Sequence, residues 1–232
     1  MAARTRGERQ YVRMPRFAAR LYDNLTSVGG VPRGFREIAA FLAGRVPEGT
    51  LLDAGTGPGR LLREVHAAAP ALRLFGLDIA ASMIDLARAN LHDVPGVDLR
   101  VGSIAATGYP SGFFDAVVST GSFYNWDDPV AGLDEIHRIL RPGRSGYIFE
   151  TVSDSDRDLL RVQLTRNLEG AGPLRRAVSR AFLNKQLHMT YTRGQIVDLV
   201  AASRFAGTAR VEPVEVGGLP IYVRIELPKP GD

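Results

Sequence analysis

The chain contains no cysteine. That absence excludes disulfides, thiolate nucleophiles and cysteine-based zinc or iron–sulfur sites, and it agrees with a reducing compartment. Long apolar runs are missing as well: nothing reaches the roughly 18–20 residues that a membrane-spanning helix needs. The opening segment MAARTRGERQYVRMPRFAARL is rich in arginine but lacks the apolar stretch of a secretory signal, so a cytoplasmic location is expected. There are four histidines, none spaced with carboxylates as metal ligands, so no metal is expected. Acids and bases nearly balance; a net charge of +4 with a pI near 9.7 is too mild an excess to imply nucleic acid. No repeat or low-complexity tract occurs.

What remains is ordinary globular composition, 45% hydrophobic and 23% charged, over 232 residues, which suits one domain with an inserted lid. Short β-branched runs alternate with amphipathic segments, the pattern of βαβ units around a parallel sheet. Strands are expected at Thr50 to Asp53, Leu72 to Leu77, Val97 to Val101, Phe113 to Ser119 and Tyr147 to Thr151. A helix should begin at Asp128-Pro129 and end at Pro142-Gly143, and Thr192 with Gln195 forms a capping box for a later helix. Two closing strands, near Val211 to Val216 and Tyr222 to Leu227, join at Gly217-Gly218 as a hairpin. The expected fold is α/β: a doubly wound, Rossmann-like, mostly parallel seven-stranded sheet with a C-terminal antiparallel hairpin. Residues 1–45 form an N-terminal helical arm, and residues 154–190, which break the βα rhythm, form a helical lid. All belong to a single domain, 1–232.

The informative stretch is LLDAGTGPGRLL, residues 51 to 62. A strand runs into Gly55, Gly57 and Gly59, where the turn is tight and the backbone must approach a ligand closely. The G-x-G-x-x-G fingerprint of nicotinamide and flavin enzymes fails here. Counted from Gly55 its third glycine falls on Arg60, and counted from Gly57 it falls on Leu62. A Walker-type phosphate loop fails too, since no Gly-Lys-Ser/Thr follows. Asp78, ending the second strand, lies about 20 residues beyond the turn, where an acid accepts hydrogen bonds from ribose hydroxyls. It can equally cap the next helix.

DAGTGPG, then GLDIAASMIDLA, then FDAVVST, then EIHRILRPG, in this order, resemble the class I S-adenosylmethionine-dependent methyltransferases. Within them the chain is similar to the small-molecule group that includes quinone-biosynthesis enzymes. The resemblance runs from about Tyr22 to Glu150. It implies that Asp53 and the turn Gly55, Thr56, Gly57 and Gly59 hold the methionine part of S-adenosyl-L-methionine. It implies Asp78 on the ribose, Ile79 and Met83 on the adenine, and Ser103 and Ile104 at the adenine edge, where relatives more often carry an acid. Thr120 and Gly121 would meet the cofactor amino group. Tyr22 would cover the cofactor, or else pack the N-terminal helix.

Methyl transfer is an in-line displacement from an activated sulfonium, for which alignment can supply about 7–11 kcal/mol. A general base adds roughly 10²–10⁴-fold, so the lack of an evident catalytic dyad does not count against an enzyme. The segment SFYNWDD follows strand four, where α/β sheets place the acceptor crevice. Tyr124, Asn125 and Trp126 line that crevice or merely pack beneath a lid. The segment lacks the N/D-P-P-Y/F pattern, and nucleic acid is not the expected acceptor. Tyr22, Tyr124 and His188 are the candidates for catalytic proton transfer; His137 reads as a core-boundary residue. Arginines cluster in the arm and again from Arg157 to Arg193. They are solvated faces, or they draw an anionic small-molecule acceptor. Two functions therefore stand: a small-molecule methyltransferase, or a non-catalytic cofactor-binding protein that regulates a partner.

Overall fold

The computed structural model describes residues 31–168 and 187–231, together with isolated positions at Pro15, Gly172, Arg176, Ala177, Ala181 and Asn184. Helix α1 (Val31–Ala43) leads into strand β1 (Glu48–Ala54), α2 (Arg60–Ala68), β2 (Ala71–Asp78), α3 (Ala81–Asn90), β3 (Asp98–Val101) and β4 (Phe114–Thr120). A 3₁₀ turn at Phe123–Asn125 follows, then α4 (Pro129–Ile139), β5 (Leu140–Thr151), α5 (Arg157–Asn167), α6 (Arg193–Ala201), β6 (Arg210–Val216) and β7 (Leu219–Pro228). Tyr22 and most of the arm lie outside the described residues, as does much of 169–186.

The seven strands form one sheet in the order β3-β2-β1-β4-β5-β7-β6. Strands β1 to β5 are parallel, and β7 pairs antiparallel with both β5 and β6. The expected doubly wound sheet and its closing hairpin are present. The hairpin turns on Gly217 and Gly218, both at positive φ, as a two-residue turn between right-twisted strands requires.

Central strands carry apolar side chains to both faces, which is why they read as near-continuous hydrophobic runs. On one face Leu51, Ala116, Val118, Tyr147 and Phe149 pack against Ile38 and Leu42 of α1 and Leu61, Leu62 and Val65 of α2. On the other, Leu52, Val117, Ile148, Val223 and Ile225 pack against Leu133 and Ile136 of α4 and Ile196 and Val200 of α6. Each fully buried side chain of this size contributes about 1.5–3 kcal/mol. Helix α4 starts as its sequence dictates: Asp128 accepts a hydrogen bond from the Ala131 amide at 2.9 Å and Pro129 follows. Thr192 and Gln195 complete their reciprocal cap on α6.

One boundary differs from expectation. Pro142-Gly143 does not end α4, which stops at Ile139; the pair lies inside β5. There the pairing of β4 with β5 shifts register between Phe114 and Ala116, and the Gly143 amide donates to the carbonyls of Lys229 and Pro230. The C-terminal segment thus supplies an acceptor that turns the Pro-Gly pair into a bulge. Leu160 of α5 and Leu187 pack on Ile221 of β7, so both ends of the 154–190 insertion are anchored to the sheet. Among the described residues no helix is long and apolar enough to cross a membrane.

Candidate active site

Strand order reverses between β1 and β4, and the crevice opens there, beyond the C-terminal ends of the strands. At the end of β1 the amides of Gly55 and Thr56 both donate to the Leu77 carbonyl, at 2.7 and 3.0 Å, folding the chain sharply against β2. A Cβ on Gly55 would lie 2.4 Å from Ser122 Oγ, so only glycine lets the turn reach the loop after β4. Gly57, at φ +52°, has nothing within 4 Å of where its Cβ would be: its missing side chain is cavity. Gly59 starts α2 and packs on Leu91 and Ala87, away from the opening.

Asp78 braces this turn. One carboxylate oxygen accepts from the Gly57 amide at 2.8 Å and the other from the Ala80 amide at 2.9 Å. The N-cap of α3 is Ala80, with no side-chain cap, so Asp78 is not the helix cap that its position allowed. Burial raises the Asp78 pKa while the two amides oppose the rise. Each oxygen retains acceptor capacity for a further donor.

The cleft encloses about 740 Å³ including its open mouth. One wall is an apolar slot of Leu77, Ile79, Met83 and Ile104 with Gly102 and Ser103. The opposite wall is Thr120, Gly121 and Ser122 with Tyr124, Asn125 and Trp126. Among the described residues Asp78 is the only charged one lining it. A smaller recess of about 330 Å³ shares Gly55, Gly57 and Thr120, and it adds Phe35 of α1, Thr56, Arg60 and Leu61.

Behind the turn, Asp53 is 1% exposed, and neither its Oδ1 nor Thr56 Oγ1 has a hydrogen-bond partner among the described residues. Burial pushes the Asp53 carboxyl up to about 7, against the lowering effect of the nearby Thr56 hydroxyl, with a further rise from the Asp78 charge. A buried carboxylate oxygen and a neighbouring hydroxyl that can donate or accept, both unpartnered among the described residues, mark a place for a polar group from outside the chain.

Ser122 ties the two walls together. Its hydroxyl lies 2.7 Å from Ser119 Oγ and 3.2 Å from the Ala54 carbonyl, and it accepts from Trp126 Nε1 at 3.3 Å. Trp126 is further wedged by Gly132, where a Cβ would come within 2.6 Å of its ring.

Of the residues singled out in the sequence, Gly55, Gly57, Asp78, Ile79, Met83, Ser103, Ile104, Thr120, Gly121 and Tyr124 meet in this cleft, and Thr56 lines the recess. Asp53 and Gly59 stand behind it. His188 is exposed and lines neither cavity. Tyr22 lies outside the described residues. Sequence reasoning did not single out Ser122, Phe35, Arg60 or Gly102. Ser122 and Arg60 lie within the quoted segments SFYNWDD and LLDAGTGPGRLL, whereas Phe35 of α1 and Gly102, whose amide donates to the Asp78 carbonyl and extends the β2–β3 ladder, reach the site only through the fold.

Comparison with known proteins gives this geometry a context. A methyltransferase-domain family matches residues 52–148. A demethylmenaquinone methyltransferase of Deinococcus radiodurans is 35% identical over 125 residues, 53% of this chain and 52% of that protein. A ubiquinone/menaquinone biosynthesis C-methyltransferase of a Geobacter species is 31% identical over 134 residues, 56% of this chain and 57% of that protein. The chain spans little more than half the length of these curated relatives. A SAM-dependent methyltransferase from Aquifex aeolicus superposes with a TM-score of 0.65 at 16% identity, covering 93% of this chain and 100% of that one. The plantazolicin methyltransferase BamL, solved with S-adenosylhomocysteine and a desmethyl substrate analogue, gives a TM-score of 0.71 at 14% identity, covering 96% and 94%. At these identities the solved structures share the fold.

Proposed function

We propose that the chain, which is similar over residues 52–148 to a methyltransferase-domain family, is a class I S-adenosylmethionine-dependent methyltransferase whose cleft binds S-adenosylmethionine across the glycine turn and passes the methyl group to a small-molecule acceptor. The observation that carries this reading is the charge of the site. A nicotinamide dinucleotide brings a doubly negative pyrophosphate to such a turn, whereas S-adenosylmethionine brings a sulfonium and an ammonium. Among the described residues the main cleft has Asp78 on its wall, Asp53 with an unpartnered Oδ1 behind it and no arginine or lysine in its lining, which suits the cation. Arg60, on the recess wall, suits the ligand's own carboxylate.

In this reading Asp53, Thr56 and the Gly55–Gly59 turn hold the amino-acid end, with Thr120 and Gly121 beside the ammonium. Asp78 takes the ribose hydroxyls on its remaining lone pairs. Ile79, Met83 and Ile104 sandwich the adenine, and the Ser103 hydroxyl stands at its edge. When bound, S-adenosylmethionine supplies a methyl group already activated by the positive sulfur. The chain's own task is then alignment and exclusion of water, worth about 7–11 kcal/mol, more than the roughly 3–5 kcal/mol of a general base. Tyr124, Asn125 and Trp126 form the acceptor wall. Tyr124 is the candidate to hold a proton there, together with Tyr22, while exposed His188 is poorly placed for it. The insertion 154–190 and the arm act as the cover. Arg157, Arg166, Arg176 and Arg193 are exposed, so solvent screens them beyond about 8 Å, and selection of an anionic acceptor would have to come from other groups.

The test is transfer from methyl-labelled S-adenosylmethionine to a panel of demethylated naphthoquinols, phenols and small carboxylic acids. We expect label in at least one acceptor with matching release of S-adenosylhomocysteine. Cofactor binding without transfer to any acceptor would favour the non-catalytic reading, and absence of cofactor binding would end both.

A further inference from the structure

Glu150, at the C-terminal end of β5, is fully buried, faces the α4 side of the sheet, and has no place in the reaction described above. Its Oε2 accepts from the Tyr124 amide at 3.3 Å, and the Phe123 amide also donates to the carboxylate. Its Oε1 accepts from the Thr151 amide at 2.9 Å and from the Thr151 hydroxyl at 3.4 Å. The 3₁₀ turn that carries the acceptor wall is therefore hung on one buried carboxylate. Phe123 of that turn packs against Trp126 and Tyr191, apolar surroundings in which a lone charge is costly unless hydrogen bonds offset it.

We propose that Glu150 is a positioning residue: its ionised carboxylate grips the amides of the Phe123–Asn125 turn and so fixes Tyr124 and Trp126 against the acceptor, and protonation releases them. The acceptor part of this inference rests on the reading of that wall given above. A carboxylate offers acceptors at both oxygens, whereas a protonated acid turns one of them into a donor facing an amide that is also a donor. The elements around it carry the phenols Tyr124 in the turn, Tyr191 ahead of α6 and Tyr222 on β7, while the charged Arg224 and Glu226 of β7 pair with Glu212 and Arg45, Arg224 lying over Phe41 of α1. Burial and the Glu150 charge push Tyr222 up to about 12, so it stays neutral. No cation among the described residues contributes to holding Glu150 ionised, and burial pushes it up to about 7, against the opposing amides. Asp53 rises to the same range, but by strand alternation it lies on the other face of the sheet.

The chain's single tryptophan, Trp126, sits in the wall and serves as its reporter. In the full chain, the amide proton shifts of Tyr124 and Thr151 should move upfield together as pH is lowered from about 9 to about 5, with Trp126 emission following the same curve. The midpoint should lie near 7, survive Asp53→Asn, and vanish in Glu150→Gln. Amides that do not titrate, or a titration that persists in Glu150→Gln, would overturn the assignment. Should Glu150→Gln fail to fold, the amide titrations of the natural chain and of Asp53→Asn decide the matter alone. Calorimetry with S-adenosylhomocysteine separates the two readings. Co-titrating amides without cofactor binding would sink the methyltransferase reading and leave the Glu150 brace standing, and cofactor binding with silent amides would do the reverse.

Discussion

Asp115 and Asp53 lie on neighbouring strands, 2% and 1% exposed, and their carboxyl groups titrate in opposite directions. Asp115 belongs to the end of the sheet away from the cleft. Burial raises its pKa there, but the Thr50 amide and hydroxyl and the Arg141 guanidinium, at 2.7 Å, outweigh that and bring it down; Arg144 pairs with it as well. Asp53 and Glu150 belong to the cleft end, where no arginine answers them, and burial wins. Equally low exposure thus has two outcomes, because Asp115 is less deeply enclosed than Asp53 as well as answered by cations. A carboxylate answered by arginines within the chain is part of the structure, while an unanswered one is poised for a ligand or a proton.

This contrast breaks if the two ends respond alike to mutation. Asp115→Ala should show the largest effect on folding: it removes the partner of Thr50 and of two arginines, and we expect about 3 kcal/mol of lost stability in urea. The affinity of the folded fraction for S-adenosylhomocysteine should not change. Asp78→Ala should do the opposite at the cleft end. It removes the Gly57 brace along with the ribose acceptor, so affinity should fall about a hundredfold, near 2.7 kcal/mol, with stability changed by less than that.

Asp53→Asn sharpens the comparison through pH. Because the folded state raises this carboxyl to about 7, the protonated form favours folding. The associated stability is complete below the unfolded carboxylate pKa and is lost as pH rises through about 7. The amide variant escapes that loss. It should be more stable than the natural protein by about 1–2 kcal/mol at pH 8, an excess that fades as pH falls from about 7 to about 4. The lowered Asp115 runs the other way, losing its contribution as pH falls. Smallest is Gly57→Ala, about 1 kcal/mol by thermal melting, because the added methyl meets only open cavity and the cost is the positive φ alone.

Where the chain's local pattern decides, the sequence was legible. The β1–glycine turn–α2 unit, the Asp128-Pro129 start of α4, the Thr192 capping box and the Gly217-Gly218 hairpin each rest on residues within a few positions of one another. The lining of the cleft was legible for the same reason, since its members end consecutive βα units. Asp78 was read to the right place but with an undecided task; the brace to Gly57 spans 21 residues and needs the two strands side by side. Ser122, Phe35 and Glu150 were missed because their partners arrive by crossover: Ser122 meets Ala54 across 68 residues and Glu150 meets Tyr124 across 26. Pro142-Gly143 was misread because a pairing with Lys229 and Pro230 near the other end of the chain overrode the usual meaning of the dipeptide.

The affinity expectations, unlike those for folding and pH, depend on the cleft being a site for a cation-bearing adenosine ligand. Isothermal titration of the full chain with S-adenosylhomocysteine and, separately, with NAD tests that most directly. One-site binding of S-adenosylhomocysteine with no heat from NAD is the predicted result; binding of NAD with none of S-adenosylhomocysteine would contradict it.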